Sequence, residues 1–441
     1  MNTLNVELSD GFIMSELGPL PEEWKVVKLE KVADFKLGRT PSRSKESYWC
    51  DGIYPWVSIA DMKEFGFIYD TSEKVSQLAF DEIFKAQLVP KDTLLMSFKL
   101  TIGRTSILKV DALHNEAIIS IYPKNGVSKE FLFYFLPTIN FSKYYDNVVK
   151  GKTLNSSKIK NLLIPLPPLS EQQKIAAVLS SIQEAKEKTE AVISAAKGLK
   201  KSMMKYLFIH GPVPTQEAED VLLQETEIGI VPKLWTMQKL EDIFDVQQGK
   251  QLSAKEKKEG KIRKPFLRTS NLSWGYINIA NVDEMYFTSK EFEKLRLKEG
   301  DILVCEGGDV GRTALYRGEI KECAYQNHLH RLRPKKGNVC VEFFVFWMEY
   351  AITQLHLYIH TANKTTIPNL SASRLKSFTL PLPPLPEQQK IASILSAIDE
   401  KIEAEESKKQ ALEDLFRSML HNLMTAKIRV NNLKINIDEE L

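Results

Sequence analysis

The chain has 441 residues, 43% hydrophobic and 27% charged, a composition typical of globular proteins with two or three domains. It contains no run of eighteen apolar residues and no signal-peptide pattern at its start, so neither a membrane span nor a signal peptide is predicted. Its four cysteines are far apart and form no CxxC pair, which fits a reducing cytosol, and a cytoplasmic location is expected. The formal net charge of +3 does not indicate a nucleic-acid partner by itself, because such a partner requires only a local basic patch.

The chain repeats itself with a period near 210 residues. The phrase PLPPLSEQQKIA at 165–176 recurs as PLPPLPEQQKIA at 381–392, and only Ser170 changes, to Pro386. Shorter matches keep the same order along both halves, such as GRT at 103–105 and at 311–313. A period this long excludes a solenoid and predicts a tandem duplication of a whole domain followed by a helix.

Each repeated domain has the pattern of a mixed α/β unit. Short apolar runs at 93–98, 117–122 and 301–307 are bounded by Gly, Pro or Asp and predict strands. Longer aromatic segments at 129–145 and 341–359 predict buried helices at matching positions in the two halves.

The prolines of the repeated phrase predict where a helix begins. Pro167 and Pro168 bias the chain to extended conformations, so Ser170 is predicted as the N-cap and Gln173 completes a capping box. Pro386 is tolerated in a first turn, so both copies begin a helix at the same place. The predicted hinge and helix-start residues are Pro167, Pro168, Ser170, Gln173, Pro383, Pro384, Pro386 and Gln389.

Apolar residues then recur every three or four positions in both copies, which predicts two helices of about 37 residues and about 55 Å. A single apolar stripe on so long a helix needs a partner, and the other copy can pair with it as an antiparallel coiled coil. A plain helical spacer and a PxxP ligand are the alternatives. The predicted coiled-coil core is Ile175, Leu179, Ile182, Ile193, Ile391, Leu395, Ile398, Ile402 and Leu412.

Motifs of catalysis and cofactor binding are not recognised in the sequence. Both Pro-Pro pairs lie between leucines, unlike the base-holding motif of an adenine methyltransferase. No GxGxxG or P-loop spacing is complete. A zinc site using Cys323, His328 and His330 is conceivable, but its spacing matches no zinc finger. No catalytic residue and no metal ligand is therefore predicted.

Three segments carry concentrated positive charge: 250–264 with a net +5, and 143–160 and 326–336 with +4 each. We predict them as loops suited to phosphate contacts, with Asn, Gln, Arg and His available for base edges; a solvated surface is the alternative. The predicted DNA-binding residues are Arg39, Arg104, Asn115, Lys152, Lys255, Lys257, Lys258, Arg268, Arg312, Asn327, His328, Arg331, Arg333 and Lys364.

Taken together, these features resemble the specificity (S) subunit of type I restriction–modification systems. The resemblance rests on the duplicated Pro-Pro-Leu-x-Glu-Gln phrase before long helices and on a P-x-x-W-x-x-x-x-L pattern that opens each half. The pattern is formed by Pro21, Trp24 and Leu29 in the first half and by Pro232, Trp235 and Leu240 in the second. The third feature of the resemblance is the segment LMTAKIRV near the end of the chain, at 423–430.

This resemblance implies an α+β fold with two tandem mixed α/β target-recognition domains separated by two long helices that form an antiparallel coiled coil. The expected divisions are an N-terminal tail (1–16), target-recognition domain 1 (17–165), a central conserved helix (166–210), a linker (211–227), target-recognition domain 2 (228–381), a C-terminal conserved helix (382–430) and a tail (431–441).

The resemblance also implies a non-catalytic subunit for defence against foreign DNA. It would bind a bipartite, asymmetric double-stranded DNA target, two methyltransferase (M) subunits and, through them, restriction (R) subunits. S-adenosylmethionine, ATP and Mg would be used by those partners, and this chain would bind no cofactor. A rod of about 55 Å sets an upper span of about 16 base pairs at ~3.4 Å per pair. A stand-alone methyltransferase or nuclease and a coiled-coil adaptor remain the rival hypotheses.

Overall fold

The computed structural model describes residues 10–144, 146–148, 151–252, 260–357 and 370–431. It contains two compact units, and each takes its chain from both halves of the sequence. Unit 1 comprises the described residues up to Thr189 and from Lys408 onward, and unit 2 comprises those from Glu190 to Ser407. No helix in the described ranges has the length and apolar character needed to cross a membrane.

Unit 1 contains fourteen strands and four short helices in its described ranges, followed by the start of a long helix, α5. The strands are β1 (Phe12–Ser15), β2 (Gly18–Pro21), β3 (Lys25–Lys28), β4 (Ala33–Leu37), β5 (Tyr54–Val57), β6 (Gly66–Ile68), β7 (Glu73–Val75), β8 (Leu94–Ser97), β9 (Thr105–Leu108), β10 (Leu113–His114), β11 (Ile118–Pro123), β12 (Asp146–Val148), β13 (Gly151–Thr153) and β14 (Leu163–Leu166). The helices are α1 (Leu29–Val32), α2 (Gln77–Glu82), α3 (Lys129–Phe135), α4 (Ser156–Lys160) and α5 (Leu169–His210).

Unit 2 repeats this order of elements and ends in the second long helix, α10, whose last turns return to unit 1. Its strands are β15 (Leu223–Thr226), β16 (Gly229–Pro232), β17 (Thr236–Lys239), β18 (Phe244–Gln248), β19 (Ile262–Leu267), β20 (Asp283–Phe287), β21 (Ile302–Cys305), β22 (Thr313–Leu315), β23 (Ala324–Tyr325), β24 (Leu329–Pro334) and β25 (Thr379–Leu382). Its helices are α6 (Leu240–Ile243), α7 (Ser289–Leu295), α8 (Val341–Thr353), α9 (Ala372–Lys376) and α10 (Leu385–Met424).

The sheets of the two units have matching topologies, as the duplicated sequence predicts. Unit 1 has a five-stranded sheet, β4-β11-β8-β9-β6, and a three-stranded sheet, β10-β5-β7. Unit 2 has the counterparts β18-β24-β21-β22 and β20-β19-β23. The three predicted strand segments correspond to β8, β11 and β21. The predicted mixed α/β character of both repeats is confirmed.

The aromatic segments form shorter helices than predicted. Helix α3 ends at Phe135, where the chain continues in short 3-10 helices, and α8 ends at Thr353. Pro137 is the second residue after α3, and because proline lacks an N–H it cannot continue the helical hydrogen bonding. Both helices are nevertheless buried, as predicted: every residue from Phe131 to Phe135 belongs to the hydrophobic core.

The two long helices begin two residues earlier than the capping-box prediction requires. Leu169 is the first residue of α5, and the carbonyl of Pro168 accepts hydrogen bonds from the N–H groups of Glu171 at 2.9 Å and Gln172 at 3.0 Å. Ser170 therefore lies within the first turn, and its predicted N-cap role is wrong, as is the capping box with Gln173. The second copy can have Pro386 where the first has Ser170, because the backbone N–H of a first-turn residue makes no hydrogen bond within the helix that proline would remove.

A different glutamine of the phrase fixes each helix start to its domain. The Gln172 side chain accepts from the N–H of Ser128 at 2.8 Å and donates to the carbonyls of Pro167 at 2.8 Å and Gly126 at 3.2 Å. In unit 2, Gln388 accepts from Cys340 at 2.9 Å and donates to Pro383 at 2.8 Å and Asn338 at 3.2 Å. Both glutamines are fully buried.

The prediction that the two long helices pair in antiparallel orientation is confirmed within each unit. In unit 1, Ile175 and Leu179 near the start of α5 share a core with Leu423 near the end of α10. In unit 2, Leu207 near the end of α5 shares a core with Ile391 near the start of α10. The helices contain 42 and 40 residues, which corresponds to about 63 and 60 Å, longer than predicted.

The predicted coiled-coil residues differ in burial along the helices. Ile175, Leu179, Ile391 and Leu395 are at most 1% exposed, and Ile193 and Ile402 are 8% exposed. Ile182 and Ile398 are partly buried against the cores, and Leu412 is half-buried.

Candidate nucleic-acid interface

Three loops of unit 1 emerge from the same edge of the five-stranded sheet. Strand β4 ends at Leu37, opposite Ile119 near the start of β11, and β8 ends at Ser97, opposite Ile118. Strand β9 begins at Thr105, next to the end of β8. The segments 38–44, 98–104 and 115–117 therefore lie together, and we call them the loop edge of unit 1.

The equivalent loops of unit 2 emerge from the equivalent edge. Strand β18 ends at Gln248, opposite His330 of β24, and β21 ends at Cys305, opposite Leu329. We call the segments 249–252, 306–312 and 326–328 the loop edge of unit 2. Backbone hydrogen bonds join its loops, because Asn327 donates to Lys250 at 2.9 Å and Glu306 donates to His328 at 2.9 Å.

A glycine lets two loops cross at each edge. A Cβ atom on Gly38 would overlap the carbonyl oxygens of His114 and Asn115, and one on Gly249 would overlap that of Gln326. Glycine therefore permits a close backbone approach that any larger residue would prevent. Both glycines occupy the position directly after the first strand of the large sheet, so the two loop edges have the same construction.

The residues predicted to bind DNA in unit 1 converge on its loop edge. Arg39 is exposed, and its Nη1 donates to the carbonyl of Ile83 at 2.6 Å. The Asn115 side chain accepts from the N–H of Ala117 at 2.9 Å and shapes the turn. Lys152 lies in β13, and its side chain falls outside the described positions. That strand adjoins the edge because Leu154 donates to the carbonyl of Phe98 at 3.1 Å.

The arginine of each GRT motif supports a neighbouring loop. Arg104 Nη1 donates to the carbonyl of Met62 at 3.0 Å, and Arg312 Nη2 donates to that of Thr269 at 2.9 Å. Arg312 also forms an ion pair with Asp309 at 2.6 Å. These contacts favour a structural role for both guanidinium groups, although their predicted contact with DNA is untested.

In unit 2, Asn327 and His328 lie on the loop edge, and His328 is exposed. Arg268 lies just after β19 and forms an ion pair with Asp283 at 2.7 Å. Lys255, Lys257, Lys258 and Lys364 lie outside the described residues. The segment containing Lys364 precedes Leu370, whose N–H donates to the carbonyl of Glu306 on this edge at 2.8 Å.

The prediction that 326–336 is a loop is wrong, because most of it forms the central strand β24. Arg331 pairs with Asp245 at 2.9 Å, and its side chain is 5% exposed. Arg333 forms two bonds of 2.7 Å to Asp301, whose side chain is 1% exposed. Both arginines are held by aspartates of other strands or turns, so their geometry favours structural pairing over a free surface for phosphate.

Sequence reasoning missed an arginine–tryptophan cluster in the first loop of unit 1. The guanidinium of Arg43 lies 3.8 Å from the ring centre of Trp49 and 5.2 Å from that of Trp56. Arg43 also forms two hydrogen bonds with Glu73, and these bonds hold the pKa of Glu73 below its usual value. The indole N–H of Trp56 donates to the carbonyl of Arg39 at 3.0 Å, which fixes the backbone at the start of this loop.

The conceivable zinc site is not assembled. Cys323 is buried, its thiol contacts the carbonyl of Ala324 at 3.3 Å, and burial raises its pKa to about 12. His330 is buried with Nε2 2.9 Å from the carbonyl of Leu370, whereas His328 is exposed. Over the described ranges, no group of three or more His, Cys, Asp or Glu side chains is placed to hold a metal ion.

The sequence matches a known domain family over most of its length. The model of the type I restriction modification DNA specificity domain matches residues 21–195 and again 232–414. These two ranges begin within the Pro-Trp-Leu patterns and extend into the long helices.

Curated relatives match the chain almost from end to end. The type I restriction enzyme MjaIX specificity subunit of Methanocaldococcus jannaschii is 26% identical over 428 residues, covering 96% of this chain and 97% of that protein. The EcoBI specificity subunit of Escherichia coli is 22% identical over 388 residues, covering 84% and 78%.

A solved structure shares the fold. The crystal structure of the type I restriction–modification S subunit of M. genitalium aligns with a TM-score of 0.56 at 17% identity, covering 95% of this chain and 98% of that one. Together with the two matches of the family model, the paired sheets and the duplicated helix starts, this establishes the family. The chain belongs to the type I restriction–modification DNA specificity domain family and carries two copies of the domain in tandem, as a specificity subunit does.

Proposed function

We propose that this chain is a non-catalytic subunit that binds a bipartite double-stranded DNA target, with the loop edge of each unit contacting one half. The observation that carries the proposal is the convergence of distant sequence segments. Arg39, Arg104 and Asn115 come from three separate loops and lie at one sheet edge. Arg312 comes from a different loop than Asn327 and His328, and all three lie at the equivalent edge of unit 2.

The loop edges differ in the polar groups that they present, which supports an asymmetric target. Glu306 at the second edge accepts a hydrogen bond from Gln248 at 3.1 Å, whereas Phe98 and Lys99 occupy the corresponding part of the first edge. Different donor and acceptor patterns select different bases, so we expect the two half-sites to differ.

Arg39 and Lys99 are the described basic residues best placed for phosphate contacts in unit 1. Within the described residues, neither forms an ion pair with a carboxylate, whereas Arg43 is held by Glu73. Lys152, Lys255, Lys257, Lys258 and Lys364 are proposed for the same role from their sequence positions. Asn327 and His328 are proposed to contact base edges, because amide and imidazole groups can both donate and accept hydrogen bonds.

The proposal places the chemistry in partner subunits. Two methyltransferase subunits would dock on this chain, and restriction subunits would join through them. S-adenosylmethionine, ATP and Mg would be bound by those partners and not by this chain. The family supports this arrangement, and one structural neighbour is described by its complex assembly within the type I system.

The proposal is tested by methyl transfer in vitro. Purified chain, its methyltransferase partner and their complex are each incubated with S-adenosylmethionine and unmethylated genomic DNA, and methylated positions are mapped. We expect the complex alone to methylate adenine within a bipartite sequence. Methyl transfer by the isolated chain would favour the rival enzyme hypothesis, and methylation by the complex without sequence preference would contradict the proposal.

A further inference from the structure

Lys200 of α5 and Phe416 of α10 occupy equivalent places in the two units. Counting from Gln172 and Gln388, which fix the helix starts, Lys200 corresponds to Phe416. The surroundings agree: the ammonium of Lys200 lies 5.3 Å from the ring centre of Phe346, and the Phe416 ring lies 6.0 Å from that of Tyr134. Tyr134 and Phe346 correspond when counted from Ser128 and Cys340.

The place occupied by Lys200 in unit 2 is ionic. Its ammonium lies 2.9 Å from Glu349 of α8 and 2.9 Å from Asp399 of α10. The side chains of Lys200 and Glu349 are only 12% and 17% exposed, so water screens this pairing weakly. A cation is favoured here, because without it the largely buried Glu349 would lose its partner and lie close to Asp399, which is 36% exposed.

The equivalent place in unit 1 is apolar. Phe416 is 7% exposed, and its ring lies 5.2 Å from that of Phe65. Pro137 stands where Glu349 stands in unit 2, and Gln183 stands where Asp399 stands. The Gln183 amide is already bound to Glu187 at 3.0 Å. This site accepts an aromatic ring and offers no buried carboxylate to a cation.

A second difference lies near the far ends of the helices. In unit 1, Arg429 forms hydrogen bonds with Glu171 at 2.7 Å and with Glu23 at 2.7 Å. In the repeat, Val213 corresponds to Arg429 and the exposed Leu234 corresponds to Glu23. Unit 1 therefore has an ionic contact at the position of Arg429 that unit 2 lacks, whereas unit 2 has one at the position of Lys200 that unit 1 lacks.

We infer that these unequal contacts make each half of the chain select the other half, and reject the same half of a second copy. If two copies of the first half paired, Lys200 would enter the site lined by Phe65 and Tyr134. The nearest carboxylates on α5, Glu184 and Glu187, are exposed, so the cation would lose its buried partners.

The other self-pairing is also mismatched. If two copies of the second half paired, Phe416 would enter the site of Glu349 and Asp399 and leave both carboxylates without Lys200. Arg429 would meet Leu234 in place of Glu23 and keep only Glu387, which stands where Glu171 stands. The cost of an uncompensated buried charge corresponds to a preference of at least about a hundredfold for the unlike pair. This inference concerns assembly and does not depend on the proposed function.

The test uses the full-length folded chain, cut after folding. A protease site is placed in the exposed segment Thr215–Asp220, and the cut protein is passed through mild urea and returned to buffer. Native mass spectrometry then distinguishes the unlike pair of fragments from the two like pairs by mass. We expect the wild-type fragments to reassemble almost entirely as the unlike pair.

The exchange variant carries Lys200→Phe together with Phe416→Lys. It makes both like pairs complementary at the level of Lys200 and mismatches the unlike pair there, while the Arg429 contacts still favour the unlike pair. We therefore expect the proportion of like pairs to rise well above that of the wild type. The control variant carries Lys201→Phe together with Arg417→Phe at the neighbouring exposed positions, and it should keep the unlike pair. Unlike pairs in the same proportion for the wild type and the exchange variant would overturn the inference.

A second measurement covers the case in which the exchange variant does not fold. Thermal unfolding of the intact chain is compared for Lys200→Met, Glu349→Gln and the double variant. We expect Lys200→Met to lower the melting temperature and Glu349→Gln to recover part of that loss in the double variant. Additive losses would show that the two residues are not coupled and would contradict the inference.

Discussion

The side chain of Gln172 and the backbone N–H of Ser128 form a 2.8 Å hydrogen bond that joins the start of α5 to the residue capping α3. The same bond joins Gln388 to Cys340 at 2.9 Å in unit 2. In both copies of the EQQ phrase, the second residue therefore accepts a hydrogen bond from the residue that precedes the aromatic helix of its domain. The third residue, Gln173 or Gln389, is exposed.

We predict that Gln172→Ala lowers the free energy of unfolding of unit 1 by about 2–3 kcal/mol. The substitution removes three hydrogen bonds and leaves the buried N–H of Ser128 without its acceptor. Urea unfolding followed by tryptophan fluorescence measures the loss. The neighbouring Gln173→Ala should change it by less than about 0.5 kcal/mol, and equal losses in the two variants would refute the assignment.

Arg333→Met should destabilise unit 2 by about 3 kcal/mol. It leaves the carboxylate of Asp301, which is 1% exposed, without its two 2.7 Å bonds to the guanidinium. Arg263→Met is the comparison, because its 2.9 Å pair with Glu284 is exposed and should contribute at most about 1 kcal/mol. Similar unfolding midpoints for the two variants would show that the Asp301 pair is not structural.

The stability of unit 1 should depend on the protonation of His114. Burial lowers the pKa of His114 to about 4, from an ordinary value of 6.5. Above pH 6.5 both folded and unfolded chains hold the neutral ring, so no dependence is expected. As the pH falls from 6.5 to 4, the unfolded chain binds a proton that the folded chain excludes, and stability decreases by about 3 kcal/mol.

His114→Asn should flatten this part of the pH profile, measured as melting temperature between pH 7.5 and 4. The exposed His328→Asn serves as the control and should leave the slope unchanged. His330 of unit 2, whose pKa burial also lowers, is retained in both variants and contributes equally. Parallel profiles for the wild type and His114→Asn would contradict the prediction.

Arg39→Ala and Lys99→Ala should weaken DNA binding by the complex with the methyltransferase subunit. A plot of the logarithm of the DNA-binding constant against the logarithm of the salt concentration has a negative slope, and each lost phosphate contact makes it shallower by about 1. Lys91→Ala is the matched control, because Lys91 is exposed just before β8, at the opposite end of the strand from the loop edge. Fluorescence anisotropy over a salt series gives the slopes, and equal slopes for all three variants would remove these residues from the interface.

The sequence predicted the duplicated topology well, because hydrophobic runs and proline positions are local signals. It also identified residues that the sheet register brings together: Arg39, Arg104 and Asn115 are far apart in sequence and meet only because β4, β8 and β11 are neighbours. The helix start was misplaced by two residues, since the carbonyl of Pro168 accepts the first helical hydrogen bonds and Ser170 lies within the first turn.

Other features depend on partners that a local pattern cannot show. Arg331 and Arg333 have the charge of a surface loop, yet Asp245 and Asp301 neutralise them within the sheet. Alignment of the repeats shows that Lys200 and Phe416 occupy equivalent positions. The ion pair of Lys200 cannot be seen in that alignment, because its partner Glu349 lies on a different helix, α8.

Methylation mapping of a genome shows whether each unit recognises one half of a bipartite target. The wild-type chain and the Arg39→Ala, Asn115→Ala variant are each expressed with the methyltransferase subunit, and methylated adenines are located by single-molecule sequencing. We predict a bipartite motif for the wild type, with relaxed specificity in one half-site and an unchanged second half-site and spacer in the variant. A continuous motif, or a change in both half-sites, would show that the units do not read separate half-sites.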